Sequence, residues 1–447
     1  MLHATAWTCW VATACAARAE PLARAAHHRC GAGAASFSPA SLFGGEVLVL
    51  DARPAPFGGP HLFNPSAVPL PEATRHALRG SAKRDDDDDD DAPFYLVAFR
   101  YRGGFCELLC GRDPVEPSRG IRAVLCLYGE TFRELACLDD DATTRDVASG
   151  AGADYGSYDI FLKTLAGRIY ATSVLYGHKR KRGVRRDVAE FRFHSIDLDL
   201  VNGTAFARKR WIDHPDVANP ASLDVNAFGK NLGVVWDGAA ASPFSLLHWL
   251  DRDFVDVRRG VPPVNPRPEG AVPLLGLHGR RLHHNGSPLG LDARCPGLRL
   301  SFGHVHTDEV NATELFLPSM SHLSKKRFVS SSTREPAYRG LPPGTVYVHY
   351  LVLWQTDPPH RVVATSRPFC FPSLDAADAC DLIQFVSGYA IVPGTSTLLV
   401  TYGINDCLSA RIQVSVEDAL ALAFRNQSEA ARRWCPLPGE GQEPWPT

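Results

Sequence analysis

Short runs of β-branched and aromatic residues alternate with turn residues through most of the chain. Several runs follow a turn such as Ala166-Gly167 or Pro393-Gly394, as the second strand of an antiparallel hairpin does. Helical periodicity is convincing only over 416–433, where an amphipathic helix is predicted. The pattern therefore predicts an all-β protein with several sheets and a short C-terminal helix. The clearest predicted strands are 95–100, 168–173, 244–249, 346–354 and 398–402.

The predicted strands group into repeating units. Five units over about 370 residues give roughly 75 residues per unit, against about 45 in a usual propeller blade. Two loop insertions, the acidic run 85–91 and the Pro-rich stretch 262–273, would account for part of the excess. A β-propeller and a pair of packed sheets both fit this pattern.

The N-terminus has the composition of a signal peptide. Small and apolar residues lead to Ala17-Arg18-Ala19, an A-x-A cleavage pattern, although no Lys or Arg precedes them. An ordinary Ala-rich extension is the alternative. We expect a signal peptide over 1–19, a flexible leader over 20–45, a catalytic domain over 46–425 and an irregular tail over 426–447.

Cysteine usage and sequons also favour the secretory pathway, with the Golgi lumen or the extracellular space as the expected location. Removing Cys9 and Cys15 with the signal leaves ten of the twelve cysteines, an even number suited to disulfides. No later stretch reaches the ~18 apolar residues of a membrane span, and no Cys/His cluster has zinc-ligand spacing. The sequons begin at Asn202, Asn285, Asn311 and Asn426.

Charge narrows the choice of partners. The formal net charge of −2 gives no overall field for nucleic acid or membranes, so neither is an expected partner. The acidic run 85–91 is interpreted as a solvated insertion, with a calcium-binding tract as the alternative. The basic run 178–182, continued by Arg185-Arg186, is interpreted as an exposed hairpin loop, with recognition of phosphate or an anionic acceptor as the alternative.

Polar residues stand where several predicted strands begin or end. Asn64-Pro65 opens the first unit, and Tyr158-Asp159 opens the second. Each of these groups also has a structural interpretation, because Asx residues often initiate turns and a histidine is often satisfied within a core. The remaining candidates of this kind are Arg100, Lys230-Asn231, His304 and Asn405-Asp406.

These segments resemble, in order and spacing, the five-bladed propellers of the β-mannoside phosphorylase and β-mannosyltransferase family. The best match is the final blade, over 384–388, 398–406 and 410–412. Lys230-Asn231 is similar to the third-blade motif, and Asn64-Pro65 with Arg100 is similar to the first-blade opening. The resemblance covers most of 60–425.

The segment containing Asp159 resembles the one that carries the family's catalytic acid. The resemblance therefore implies a five-bladed propeller with Asp159 as the acid. The Pro and Arg that follow this acid in the family are Ile160 and Phe161 here. A guanidinium is therefore absent at that position, which weakens the phosphorylase interpretation more than the fold.

The chemistry of glycoside cleavage assigns roles to the other candidates. An acid must protonate the leaving oxygen while a nucleophile attacks the opposite face of the sugar. No cofactor is expected beyond phosphate or a nucleotide sugar as co-substrate, which Arg100, Lys230 and His304 would hold. The aromatic rings proposed to contact a pyranose are Tyr158, Trp236 and Tyr402. The remaining candidate substrate-binding residues are Asn64, Asn231, Asn405 and Asp406.

Three functions remain open at this point. The first is an enzyme that transfers or phosphorolyses a mannosyl-like unit of an oligosaccharide or glycan. The second is a glycoside hydrolase on the same scaffold, which would need a second carboxylate to activate water. The third is a non-catalytic propeller that binds glycans or a partner protein.

Overall fold

The structure is a computed structural model of the chain. Its described part contains twenty strands and two helices. The prediction of a mostly β protein is therefore confirmed. The described residues are 48–50, 62–81, 92–101, 122–138, 154–181, 184–201, 204–211, 233–236, 244–250, 255–258, 283–291, 295–307, 346–366, 369–371, 384–404, 408–424 and 435.

The strands form five antiparallel sheets within the described residues. Sheet I contains β2 (Leu62–Pro69), β3 (Tyr95–Tyr101), β4 (Arg122–Tyr128) and β5 (Glu134–Leu138). Sheet II contains β6 (Asp154–Leu165), β7 (Arg168–Lys181), β8 (Val184–Val201) and β9 (Thr204–Trp211). Sheet III contains β10 (Gly233–Trp236), β11 (Phe244–Leu250) and β12 (Val255–Arg258).

The last two sheets come from the C-terminal half, with one N-terminal strand. Sheet IV contains β13 (His283–His284), β15 (Leu298–Thr307), β16 (Val346–Gln355) and β17 (Val362–Thr365), with β14 (Leu289–Gly290) also paired to β15. Sheet V has the order β1 (Leu48–Val49), β20 (Leu408–Ser415), β19 (Thr397–Ile404) and β18 (Gln384–Ile391). The pairing of β1 with β20 brings the two ends of the described chain into one sheet.

The sequence pattern located these strands well. All five predicted runs lie inside observed strands, and the Ala166-Gly167 turn joins β6 to β7 with positive φ at both residues. The basic run is an exception, because 178–181 lies in β7 and pairs with β8 instead of forming a loop. The residues that follow the run, 184–186, pair with it as the start of β8, which a count of charges does not anticipate.

The hydrophobic core lies between successive sheets. One cluster joins sheet I to sheet II, another joins sheet V to sheet I, and a third joins sheet IV to sheet V. The largest fully buried side chains include Trp354, Tyr350 and Tyr402. Each buried aliphatic or aromatic side chain contributes roughly 1.5–3 kcal/mol of hydrophobic stabilisation, so these layers fix how neighbouring sheets face one another.

The C-terminal helix predicted for 416–433 is present as α2, Val416–Phe424. Ser415 caps it, because the Asp418 amide donates to Ser415 Oγ at 2.9 Å and the Ser415 hydroxyl donates back to the Asp418 carboxylate at 2.7 Å. Residues 425–434 lie outside the described part of the chain.

Helix α1, Glu72–Ser81, is not anticipated from the sequence. Its only fully buried side chain among those described is Leu78, so the apolar face is too narrow to stand out as a period of 3.6. The signals that could have found it are Pro71 just before the first turn, Glu72 within that turn and Arg79 in the last.

Two disulfides join pairs of described residues, Cys126–Cys137 and Cys295–Cys435, and the described Cys370 is disulfide-bonded as well. The first joins β4 to β5 at directly opposed positions. The second ties Cys435, in the predicted irregular tail, to sheet IV. Both are compatible with a secreted protein. None of the described helices has the length and apolar character needed to cross a membrane.

Candidate functional site

Strands β2, β6 and β18, one from each of sheets I, II and V, meet one another. The Leu162 amide in β6 donates to Ser66 Oγ in β2 at 2.8 Å. The Ser387 hydroxyl in β18 donates to the Pro65 carbonyl in β2 at 2.6 Å. The rings of Phe161 and Phe385 lie 6.2 Å apart between β6 and β18. These three strands, here called the inner strands, therefore surround a common line.

The inner strands run in the same direction. Along β2 and β6, Ser66 lies against Leu162, and Pro69 accepts a hydrogen bond from Thr164 at 3.0 Å. Along β2 and β18, Pro65 bonds to Ser387, and β2 then continues past Gly388. The N-terminal ends of all three strands consequently lie together. We call this the upper end, marked by Asn64 in β2, Asp159 in β6 and Phe385 in β18.

Each inner strand carries a β-bulge close to the upper end. One extra residue separates Phe63 from Ser66 in β2, Tyr158 from Phe161 in β6, and Val386 from Gly388 in β18, relative to the partner strand. Bulges bend a strand and re-aim side chains, and they are frequent beside active sites. Three bulges, one from each inner strand, therefore lie at the upper end.

Three of the predicted site residues, Asn64, Tyr158 and Asp159, lie at these bulges or directly beside one. Asn64 is buried and has φ of 49°, a left-handed conformation that asparagine tolerates better than most residues. Its side chain lies against the backbone of Gly403. Tyr158 and Asp159 lie in β6, with Tyr158 opposite Val174 just before the register shifts.

Arg100 lies at the same end, opposite Phe63 in the β2–β3 register. Its guanidinium is nearly buried and stands 5.2 Å from the centroid of the Phe63 ring. A cation held over an aromatic face in this way gains a modest electrostatic stabilisation. The structure thus places one of the predicted cations at the upper end, beside Asn64.

Four predicted residues, Lys230, Asn231, Asn405 and Asp406, lie outside the described residues. The structure does describe the strands next to them in the sequence, β10 and β19. Gly233, at the start of β10, is so close to the Gly286 carbonyl and His284 that a Cβ would not fit. Ile404, at the end of β19, pairs with Gln384 at the start of β18. Their predicted roles stay predictions.

His304, the remaining candidate, is a buried, hydrogen-bonded histidine. Its Nδ1 lies 2.8 Å from Asn285 Oδ1, and its ring stacks on Tyr347 at 5.4 Å and meets Phe385 edge-on at 5.5 Å. The Asn285 amide also donates from Nδ2 to the Val386 carbonyl at 2.7 Å. Because that carbonyl can only accept, Oδ1 must face His304, and His304 Nδ1 must carry a hydrogen.

This arrangement corrects the interpretation of the sequon at Asn285. The side chain is fully buried and bridges His304 to β18, so it is not a glycosylation site in the folded chain. The tripeptide pattern carries no information on burial, which is why the sequence alone suggested otherwise.

A prediction about His304 follows from the Asn285 bridge. Replacing Asn285 with leucine removes the acceptor, so the imidazole loses its fixed tautomer. We expect the ¹⁵N chemical shifts of His304 to indicate hydrogen on Nδ1 in the wild type and a mixture of tautomers in Asn285→Leu. A wild-type spectrum with hydrogen only on Nε2 would contradict the assignment. His360, which contacts a backbone carbonyl elsewhere in sheet IV, serves as the unchanged internal reference.

His349 belongs to a second buried network that the sequence analysis missed. Its Nε2 lies 2.7 Å from the Gln384 carbonyl, and the Gln384 side chain bonds to both the amide and the carbonyl of Phe371. Burial lowers the pKa of His349 to about 4, so the ring is neutral at neutral pH. No short motif marks this network, because its members come from three separate segments.

Tyr402, considered as a sugar-binding ring, lies in the core. It is fully buried and stacks on Phe371 with ring centroids 4.5 Å apart. Trp236 lies in β10. The aromatic residue placed nearest the upper end by the described contacts is instead Phe385, which touches both Phe161 and His304.

Lys163 is a buried cation that sequence reasoning also missed. It lies in β6, and its Nζ donates to the Pro288 carbonyl at 2.8 Å. Burial, reinforced by the nearby Arg299, lowers the pKa of Lys163 to about 7. The unfolded chain keeps this proton up to about pH 10. Burying the charged ammonium away from water therefore lowers the free energy of unfolding.

Lys163→Met should therefore change how stability depends on pH. Between about pH 7 and 10 the unfolded wild type binds more protons than the folded state, so its free energy of unfolding rises with pH, by about 2–4 kcal/mol. The variant should lose this rise. Urea denaturation at pH 7 and pH 9.5 measures it, with Arg168→Met, at an exposed position of the same hairpin, as the control. An unchanged pH dependence in Lys163→Met would show that the lysine is hydrated.

Comparisons with known proteins complete the description. No family model and no curated protein matches the chain. Among solved structures, the chain is similar to a glycosyl hydrolase from Bacteroides ovatus, with 10% identity, coverage of 86% of this chain and 94% of that one, and a TM-score of 0.40. It is also similar to a GDP-Man-dependent mannosyltransferase from Leishmania mexicana, with 10% identity, 82% and 87% coverage, and a TM-score of 0.36.

A mannose phosphorylase from Leishmania mexicana is similar at 11% identity, with 82% and 85% coverage and a TM-score of 0.36. The structures similar to this chain thus include a glycoside hydrolase, a mannosyltransferase and a phosphorylase. At these identities and scores, the activity of this chain has to be argued from its own residues.

Proposed function

We propose that the five sheets are the blades of one five-bladed β-propeller. Two observations support this arrangement. Sheet I packs against sheets II and V, and sheet V packs against sheet IV, so these four sheets follow one another around a ring in chain order. The N-terminal β1 completes the C-terminal sheet, which joins the last blade to the start of the chain. The inner strands would then line the propeller axis.

We further propose that the chain is a carbohydrate-active enzyme that transfers or phosphorolyses a mannosyl-like unit of a glycan. The observation that carries this proposal is the position of Asp159 at a bulge of β6, at the end where three inner strands converge. An acid at such a point can meet a substrate that enters along the axis. The choice of a mannosyl-like unit comes from the sequence resemblance.

In the proposed mechanism, Asp159 supplies the proton that the leaving oxygen needs, either directly or through a sugar hydroxyl. Phosphate, or the diphosphate of a nucleotide sugar, would be held by Arg100, Lys230 and His304. Because His304 Nδ1 donates to Asn285, Nε2 is the atom left to contact phosphate, and it can donate there only when the ring is protonated. Asn64, Asn231, Asn405 and Asp406 would contact sugar hydroxyls, and Tyr158 would contact a ring face.

A non-catalytic glycan-binding propeller is the second candidate, and Phe161 favours it. This residue stands where the resembling family has the arginine that follows its acid. Here the ring lies so close to Gly286 that a Cβ at that glycine would be 3.1 Å from Phe161 Cδ1, and it also packs against Phe385, so the position serves the core. An enzyme must therefore use other cations to bind its anion. Among the candidates, Arg100 lies at the upper end.

A substrate screen separates the two candidates. The purified chain is incubated with β-mannosides with and without phosphate, and with nucleotide-sugar donors plus glycan acceptors. We expect either phosphate-dependent release of sugar phosphate or donor-dependent extension of the glycan. Release of free sugar without phosphate would identify the hydrolase instead. Glycan binding without turnover in every arm would favour the non-catalytic propeller.

We also propose that the protein enters the secretory pathway. The disulfides Cys126–Cys137 and Cys295–Cys435 support this, because such bonds persist in oxidising compartments. Sequencing the mature N-terminus from a eukaryotic host tests the proposal. Cleavage after Ala19 is expected, and an intact N-terminus on an intracellular protein would overturn it.

A further inference from the structure

A two-stranded ribbon extends from sheet II beyond the other strands of that sheet. Pairing of β7 with β8 continues to Lys181 opposite Val184, whereas pairing of β6 with β7 begins at Asp154 opposite His178. Strand β9 pairs with β8 only over 194–201. We call residues 179–181 and 184–186 the basic ribbon, since five of these six residues are Lys or Arg.

Register places like charges opposite one another in the basic ribbon. Lys179 pairs with Arg186, and Arg180 pairs with Arg185. Like charges directly opposite across two strands destabilise the pairing. Because successive strand residues alternate between faces, the two pairs lie on opposite faces, so both faces carry cations.

The six residues of the ribbon contain no carboxylate, and the acidic residues of sheet II next to them in the register, Asp154 and Asp187, both lie opposite His178 at its base. Five cations against these two carboxylates leave the basic ribbon with an excess of positive charge, which suits a negatively charged ligand.

The basic ribbon lies on the side of the molecule that carries the candidate site. Strand β6 leads from the bulge at Asp159 toward Asp154, away from the buried middle of the inner strands. Val174, opposite Tyr158, is five to seven residues from Lys179–Lys181 along β7. At about 3.3 Å per residue, the ribbon stands roughly 20 Å beyond the upper end.

We propose that the basic ribbon binds an anionic glycan, one that carries phosphate or sulfate groups, and holds it for the site at the upper end. The inference rests on the proposed function, which supplies the glycan. Arginine binds phosphate and sulfate oxygens through paired N–H groups, and a β-ribbon spaces such groups along a linear polymer. Because the ribbon and the upper end are roughly 20 Å apart, the anionic groups lie several sugar units away from the sugar that reacts.

The test is a binding titration that needs no turnover. Fluorescently labelled phosphorylated mannan, sulfated heparin oligosaccharide and neutral mannan are each titrated with the full chain at low and physiological salt. We expect both anionic glycans to bind more tightly than neutral mannan, with affinity that falls as salt rises. The arms with phosphate and with sulfate identify which group is preferred. The test variant carries Lys179→Gln, Arg180→Gln, Arg185→Gln and Arg186→Gln.

The test variant should lose about tenfold or more of its affinity for the preferred anionic glycan. The matched control is Lys209→Gln with Arg210→Gln, two cations of β9 that pair with β8 far from the ribbon. It should bind like the wild type, and thermal unfolding of both variants confirms that they fold.

Three results would overturn the inference: equal affinity in the test variant and the control, equal affinity for neutral and anionic mannan, or tighter binding of duplex DNA or phosphatidylserine vesicles. The outcome is independent of the acid. The titration measures binding without turnover, so its result does not depend on whether Asp159 transfers a proton. Failure of the ribbon and failure of the proposed reaction are therefore distinguishable.

Discussion

Asp159→Asn should lower turnover of the best substrate by about 10²–10⁴-fold, the usual contribution of a general acid. The amide has nearly the same shape as the carboxylic acid but cannot transfer the proton to the leaving oxygen. The fall should appear in kcat for substrates with poor leaving groups. Activated aryl mannosides, which leave without protonation, should be affected much less.

Asp154→Asn is the matched control for this prediction. It makes the same substitution in the same strand, five residues before the bulge. Its turnover should equal that of the wild type, and both variants should unfold at the wild-type temperature. Equal turnover in Asp159→Asn and Asp154→Asn would remove Asp159 from the mechanism.

Gly388→Ala should destabilise the fold by about 3 kcal/mol, because the inner strands approach one another too closely for a side chain. A Cβ on Gly388 would lie 2.8 Å from both the Ala67 nitrogen and the Ser66 Cα, and 2.6 Å from Thr401 Oγ1. Two of these atoms are backbone of β2, so they cannot rotate away. Either β18 or β2 must shift, which would also strain the Ser387–Pro65 hydrogen bond. Urea denaturation measures the loss.

The control for this prediction is Gly167→Asn. Gly167 has a left-handed conformation, with φ of 72°, and no atom lies within 4 Å of its Cβ position. Asparagine tolerates that conformation, so the cost should stay below about 1 kcal/mol. If Gly388→Ala were no more destabilising than this control, the close contact between β2 and β18 would be wrong.

The strands were predictable from local pattern, because alternating apolar and polar positions and β-branched residues are typical of a pleated strand. Val346–Gln355 and the Ala166-Gly167 hairpin are examples. The pairing of β1 with β20 was not predictable in the same way. Two residues of strand carry almost no pattern, and their partner lies more than 350 positions away.

Some residues of the candidate site could likewise be predicted from the sequence, and others could not. Asn64 and Asp159 were found because polar residues interrupt apolar strands, and both lie at or beside bulges that such residues accommodate. Lys163 and Asn285 were missed because their importance depends on burial. The sequence around such a lysine or asparagine is the same whether its side chain reaches water or a buried carbonyl, as these two do.

The most direct test of the account is an experimental structure of the chain with a bound mannoside. We predict that the sugar lies at the upper end, with the Asp159 carboxylate within hydrogen-bond distance of a sugar oxygen and with Asn64 and His304 around the same cavity. A sugar bound elsewhere, with Asp159 directed away from Asn64 and His304, would contradict the proposal that the inner strands place a catalytic acid at the sugar-binding site.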